Sequence, residues 1–299
     1  MRLTVYIVTL YLSGFFANSI EAGETANAAH AENADSSHLS HAAHAENACR
    51  QMVELAKNRC DKYDAGHAYQ NLYCGLFLNI RGAQTTMLEI GFGCGHSLGA
   101  GLGAVIWKSW FHNLHYYAVD FIAGGRDAAV NTCWADFNRT HPNVVSHLWI
   151  GDQSDVSFLG SLVTEFAAMQ PAGQGQFDVI IDDGAHLYSF IKTSFQFLWP
   201  HVAPGGVYVV EDMAADYKFS RVVGKWIEKL SFGIPPRAAH DANATEVDFE
   251  NTVPYQLKSI TCAFQICAFT KALPYEHLTA KEYYHPFLYA APRLAVLDP

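Results

Sequence analysis

Short β-branched runs recur between residues 86 and 211, each followed by a stretch of helix length, and this alternation leaves few folds open. The runs are Thr86–Ile90, Tyr116–Asp120, Val144–Ile150, Phe177–Asp182 and Gly206–Glu211. Helical signal lies between them, as in Leu187–Trp199, which Pro200 and Pro204-Gly205-Gly206 close. Parallel strands need a crossover between them, so strands spaced by helices imply a parallel sheet of βαβ units. Leu257–Ala263 and Ile266–Lys271 follow as two strands too close for a helix between them, so one must run antiparallel. The expected fold class is α/β, a doubly wound, mostly parallel seven-stranded sheet with an antiparallel strand near the C-terminus.

The chain has 299 residues, half of them hydrophobic, enough for a sizeable core. Its net charge of −10 and the absence of any basic run argue against nucleic acid as the main partner. The first residues resemble a secretory signal: Arg2, an apolar run from Leu3 to Ala17, then the small-x-small Ala17-Asn18-Ser19. A bilayer span takes about 20 apolar residues, so the run is short for one, and no stable membrane span is expected once it is cleaved. The expectation is the secretory pathway or secretion, with a signal anchor or a bipartite organelle signal as alternatives.

Four segments follow from the composition: a signal peptide or anchor at 1–19, an Ala/His/Asn linker at 20–48, a globular domain at 49–275 and a tail at 276–299. In the linker Ala28-Ala-His-Ala-Glu-Asn-Ala34 recurs as Ala42-Ala-His-Ala-Glu-Asn-Ala48, a repeat too short for a solenoid. Gly233–Pro254 is expected to be a loop, and N-glycosylation sequons stand at Asn138-Arg-Thr140 and Asn243-Ala-Thr245. Of the seven cysteines, Cys94, Cys262 and Cys267 are expected to be buried as small hydrophobes. One disulfide among Cys49, Cys60 and Cys74 is left open.

The strand ends carry the chemistry. Phe177-Asp-Val-Ile-Ile-Asp182-Asp183-Gly-Ala-His186 brings two carboxylates and an imidazole to one strand end, and Gly206-Val-Tyr-Val-Val-Glu211-Asp212 brings two more carboxylates to another. A parallel sheet lines up these ends along the edge where open α/β folds bind ligands. Such a convergence suggests a hard divalent cation beside a base. Neighbouring side chains of a strand face opposite sides. Asp182 should therefore face away from Asp183, toward cofactor or a supporting layer, and Glu211 and Asp212 can share an ion only where their strand has ended.

The first strand runs into Glu89-Ile-Gly91-Phe-Gly93-Cys-Gly95. Glycines let the backbone approach a ligand closely. The spacing is not the Gly-x-Gly-x-x-Gly that holds a dinucleotide pyrophosphate, which disfavours a dehydrogenase. An acid at Glu89 instead suits the sulfonium and α-amino cations of S-adenosylmethionine. Asp120 ends the second strand, where a carboxylate can accept both ribose hydroxyls, and the Asp152–Asp155 turn after the third offers polar groups to adenine. The candidate cofactor-binding residues are thus Glu89, Gly91, Gly93, Gly95, Asp120, Asp152, Asp155 and Asp182.

These motifs resemble those of the Rossmann-like class I S-adenosylmethionine-dependent methyltransferases. Among them the chain is most similar to the metal-dependent O-methyltransferases of macrolide sugars, the mycinamicin and macrocin type. The similar stretch runs from about Cys60 to Lys271. It includes Asp61-Lys62 with His67, Tyr69 and Tyr73, then Leu88–Gly95, Gly151-Asp-Gln153, Ile180–His186 and Gly205–Asp212. Cys60 stands where that group usually has Thr.

The resemblance implies that Asp183, Glu211 and Asp212 ligate Mg²⁺ or another divalent cation and that His186 is the general base. It further implies a methyl transfer from S-adenosylmethionine to a hydroxyl of a sugar or glycosylated small molecule, with a homo-oligomer left open. A catechol-type O-methyltransferase and a non-catalytic secreted binding protein of the same fold are the alternatives.

Overall fold

The computed structural model describes residues 45–57, 62, 67–95, 99–121, 127–232 and 246–274. The signal segment, residues 20–44 of the linker, Cys60, the Asn243 sequon and the tail lie outside the described residues, while residues 45–48, expected to belong to the linker, are helical, with Ala48 buried and its carbonyl accepting from Trp110. The chain divides into two compact units, Met1–Ala45 and Glu46–Pro299, and the second holds the sheet. Among the described residues no helix is long and apolar enough to cross a membrane.

Helix α1 covers residues 45–56 and α2 covers Gln70–Phe77. There follow β1 (Gln84–Ile90), α3 (Leu102–Trp110), β2 (Asn113–Asp120), α4 (Asp127–Thr140), β3 (His147–Ile150) and α5 (Val156–Met169). The second half runs β4 (Phe177–Asp182), α6 (Tyr188–Leu198), β5 (Val202–Val210), α7 (Tyr217–Ser231), α8 (Glu246–Asn251), β6 (Leu257–Ala263) and β7 (Ile266–Lys271). The strand order is β3-β2-β1-β4-β5-β7-β6. β1 to β5 pair in parallel, while β7 lies antiparallel to both β5 and β6. The seven-stranded, mostly parallel sheet expected from the sequence is the one observed.

Strand alternation sorts side chains into two cores. Leu88, Ile90, Ile180, Tyr208 and Val210 pack under α5, α6, α7 and α8, whose contributions include Leu162, Phe195, Trp226 and Phe249. Met87, Val179, Ile181, Val207 and Val209 face the other way, onto Met52 of α1, Tyr73 and Phe77 of α2, Trp107 of α3 and Phe137 of α4. Each such side chain, fully buried, contributes roughly 1.5–3 kcal/mol.

Several local expectations are corrected. β3 begins at His147, not Val144, because Asn143 turns the chain with φ 66° and Ser146 bonds back to Tyr116. β5 begins at Val202 and runs through Pro204-Gly205-Gly206. A register shift against β4 between Phe177 and Val179 absorbs the extra residues. The stretch read as a loop before residue 254 contains α8, held by Phe249 against Trp226 and by Glu250, which accepts from Lys225 at 2.9 Å.

The disulfide left open among Cys49, Cys60 and Cys74 is found as Cys49–Cys74, whereas Cys94, Cys262 and Cys267 differ from expectation: all three are bridged, and Cys262 is exposed. Disulfides join Cys49 to Cys74, Cys94 to Cys133 and Cys262 to Cys267. Cys262 and Cys267 are register partners across the β6–β7 hairpin, which brings their Cα atoms to 4.1 Å. Cys133 lies on α4, and only tertiary packing brings it to the glycine loop, 39 residues from Cys94.

Candidate active site

Strand order reverses between β1 and β4, whose neighbours lead away on opposite sides. A cleft of about 430 Å³ opens there, at the carboxyl ends of β1, β2, β4 and β5, the place this topology provides for a ligand. Glu89, Gly91, Gly93, Gly95, Asp120, Asp152, Asp183, His186, Glu211 and Asp212 all line it. Two expected cofactor residues do not. Asp155 caps α5, accepting from the Ser157 amide at 2.8 Å. Asp182 is buried and turned away from the cleft, as strand alternation requires. Its carboxylate accepts from Gln153 at 2.9 Å, Ser194 at 2.6 Å and Tyr208 at 3.0 Å. Gln153 carries that support to the loop after β4, since its Oε1 accepts the Ala185 amide at 2.8 Å. A Cβ on Gly184 would stand 2.0 Å from the same oxygen.

On the cofactor side Asp120 fixes the glycine loop. It accepts the amides of Cys94 and Phe121, each at 2.7 Å. Burial pushes its carboxyl above the usual range, and the amides of Cys94, Phe121 and Gly93 oppose that. Gly91, at φ 104°, lets this loop touch the other half of the site, for a Cβ there would lie 2.1 Å from the Asp183 carbonyl oxygen.

Four acids meet at the other half. Lys62 Nζ donates to Glu89 Oε1 at 3.0 Å, to Asp183 Oδ2 at 2.6 Å and to the two Glu211 oxygens at 2.9 and 2.8 Å. Burial disfavours the ammonium, yet Asp183, Glu211 and Glu89 together hold its pKa well above the ordinary lysine value. Glu211 is raised well above the carboxylate range by burial and by Asp183, with Lys62 opposing. Asp183 is raised by burial and lowered by Lys62. Tyr73 also donates to Glu211, and Tyr116 to Glu89.

β5 ends at Val210, and Asp212 takes φ 51°, so the two acids part. Glu211 points to Lys62, whereas Asp212 Oδ1 accepts from Tyr69 at 2.5 Å. Burial and Asp212 hold the Tyr69 phenol above its usual range. The remaining oxygens, Asp183 Oδ1 and Asp212 Oδ2, lie 3.9 and 3.6 Å from His186 Nε2. Donor atoms of Asp183, His186 and Asp212 all fall within 4.8 Å of one another. Oxygen donors beside one imidazole suit a hard divalent ion.

Residues 88–213, the part that builds this cleft, match the sequence family described as a methyltransferase domain. That stretch is similar to a methyltransferase domain. The chain is 32% identical over 158 residues to mycinamicin VI 2''-O-methyltransferase of Micromonospora griseorubida, covering 52% of this chain and 34% of that protein. It is 32% identical over 157 residues to demethylmacrocin O-methyltransferase of Streptomyces fradiae, again covering 52% and 34%. The aligned part thus spans about a third of the length of these curated relatives. Among solved structures, the MycE methyltransferase of the mycinamycin pathway, in complex with Mg, SAH and mycinamycin VI, superposes with a TM-score of 0.55. That match has 23% identity and covers 75% of this chain and 54% of MycE.

The cleft has one central residue that the sequence does not single out. Lys62 was visible only as part of a resembling motif. An isolated lysine in a polar segment has no periodicity to mark it as buried, and its three carboxylate partners lie 27, 121 and 149 residues away. His67 and Tyr69, which belong to the same resembling stretch, border the cleft, and Tyr73 is fully buried.

Proposed function

We propose that this chain moves a methyl group from S-adenosylmethionine to a hydroxyl of a sugar or glycosylated small molecule, assisted by Mg²⁺ or another divalent cation. The observation that carries this reading is the facing of Asp183 Oδ1 and Asp212 Oδ2 toward His186 Nε2, beside a cleft lined by the glycine loop. A cation held by Asp183 and Asp212, with Glu211 as the third acid of the cluster, would supply electrostatic stabilisation to an acceptor oxygen losing its proton. His186 Nε2 takes that proton. Asp120 orients the ribose, and Gly91 and Gly93 allow the cofactor to approach the backbone. The macrolide-sugar acceptors named for the relatives support the substrate class.

Isothermal calorimetry with S-adenosylmethionine, with and without Mg²⁺, tests the cofactor, and labelled methyl transfer to sugars and to catechols tests the acceptor. No cofactor binding would favour a non-catalytic binding protein, and turnover on catechols alone would overturn the sugar reading. His186→Ala should abolish turnover while leaving cofactor affinity within about twofold, because only the proton acceptor is lost. A variant with unchanged rate would remove His186 from its role.

A further inference from the structure

The acid cluster has two cation positions, and one of them is already filled by the protein. Lys62 Nζ sits among Glu89, Asp183 and Glu211, at 2.6–3.0 Å from four carboxylate oxygens that come from the ends of β1, β4 and β5. The other position lies on the opposite side of Asp183, between its second oxygen and the outer oxygen of Asp212, with His186 Nε2 facing the two at 3.9 and 3.6 Å. Asp183 is shared by both. Lys62 and Glu211 are almost wholly buried, so water does little to screen the acids.

We infer that Lys62 is a positioning residue that acts as a built-in monovalent cation, occupying the place a second metal ion would take and so limiting the cluster to one divalent ion. This rests on the cation-assisted reading above, but its test does not require methyl transfer. Without any charge at this point, Glu89, Asp183 and Glu211 would face one another across a buried space, a costly arrangement. An ammonium answers that charge permanently. It also holds Oδ2 of Asp183 on the inner side, which leaves Oδ1 on the cleft side for the exchangeable ion. Two properties of lysine suit it to the place. Its ammonium is a compact point charge that can donate in several directions, and its long stem reaches strand ends from a separate segment.

Two substitutions separate this role from simple packing. Lys62→Ala removes the charge and leaves space. Lys62→Met removes the charge and fills the space with a stem of similar length. Melting temperatures measured in EDTA and across a Mg²⁺ titration should fall for both variants in EDTA. Mg²⁺ should then raise the Lys62→Ala midpoint by about 4 °C or more beyond any rise in the unaltered protein, since a ligand that binds only the folded state stabilises it. Lys62→Met should show no such excess. Mn²⁺ stoichiometry by electron paramagnetic resonance should be one ion more in Lys62→Ala than in the unaltered protein. Equal Mg²⁺ responses in the two variants, or unchanged stoichiometry in Lys62→Ala, would overturn the inference. If the unaltered protein bound no divalent ion while Lys62→Ala bound one, the proposed function would fail and the built-in cation would stand.

Discussion

Two residues at the mouth of the cleft hold backbone conformations that side-chain-bearing residues seldom adopt. His186 has φ 54° and Asp212 has φ 51°. Left-handed conformations at such residues cost on the order of 1–3 kcal/mol each and persist where the surroundings enforce them. Here the enforcing contacts are visible. Tyr69 accepts the Asp212 amide at 3.2 Å while donating to its carboxylate, and Gln153 holds the loop before His186 through Ala185. Gly91 completes the set from the other side, since its backbone lies directly against that of Asp183. Gly91→Ala should therefore move Asp183 as well as strain its own backbone. We expect a loss of stability above about 1 kcal/mol together with weakened Mg²⁺ binding, checked by denaturant titration and calorimetry. Unchanged Mg²⁺ affinity in a folded Gly91→Ala protein would show that this contact does not place Asp183.

At the scale of elements, periodicity was the legible part. Phe177–Asp182, Leu257–Ala263 and Ile266–Lys271 have the bounds expected of them, because apolar alternation and flanking turn residues report burial directly. The acids at the strand ends were legible for the same reason: once strands are parallel, their ends share an edge. Where pairing depends on distant partners, local sequence carries no signal. Thus the Cys94–Cys133 bridge, the Lys62 cluster and helix α8 were not apparent. Lys271 is a further case. It ends β7 buried, and its Nζ donates to the carbonyls of Trp199, Pro200 and Val202 at 3.2, 3.0 and 2.7 Å, tying the end of α6 to the start of β5. Burial lowers its pKa from 10.5 to about 8. The sign follows from proton counting. Between about 8 and 10.5 the unfolded chain holds the proton that the folded chain has released, so stability gains from this group as pH rises through that window. Below about 8 both states are charged and the burial cost is borne in full. Denaturant unfolding from pH 7.5 to 10.5 should show this gain in the unaltered protein relative to Lys271→Met. Parallel curves for the two would refute it.

At the scale of the whole molecule, three disulfides among the described residues join separate elements: Cys49 of α1 to Cys74 of α2, the glycine loop to α4, and the two strands of the β6–β7 hairpin. Disulfides persist in oxidising compartments and are rare in the cytosol. The three bridges and the signal-like N-terminal run are independent observations. On that basis we propose entry into the secretory pathway. Asn138 lies exposed on α4, accessible for a glycan, although a helical backbone is an uncommon acceptor conformation. Methyl transfer there would require that S-adenosylmethionine be transported into whichever lumen the protein occupies. Mass spectrometry of the native protein, digested with its thiols blocked but not reduced, checks both observations together. A mature N-terminus after Ser19 with the three bridges intact is the expected result. An intact Met1–Ala17 segment with free thiols at Cys94, Cys133, Cys262 and Cys267 would place the protein on the cytosolic side and refute the proposal. Oxidised bridges behind an uncleaved leader would instead identify a signal anchor, with the folded domain on the lumenal side.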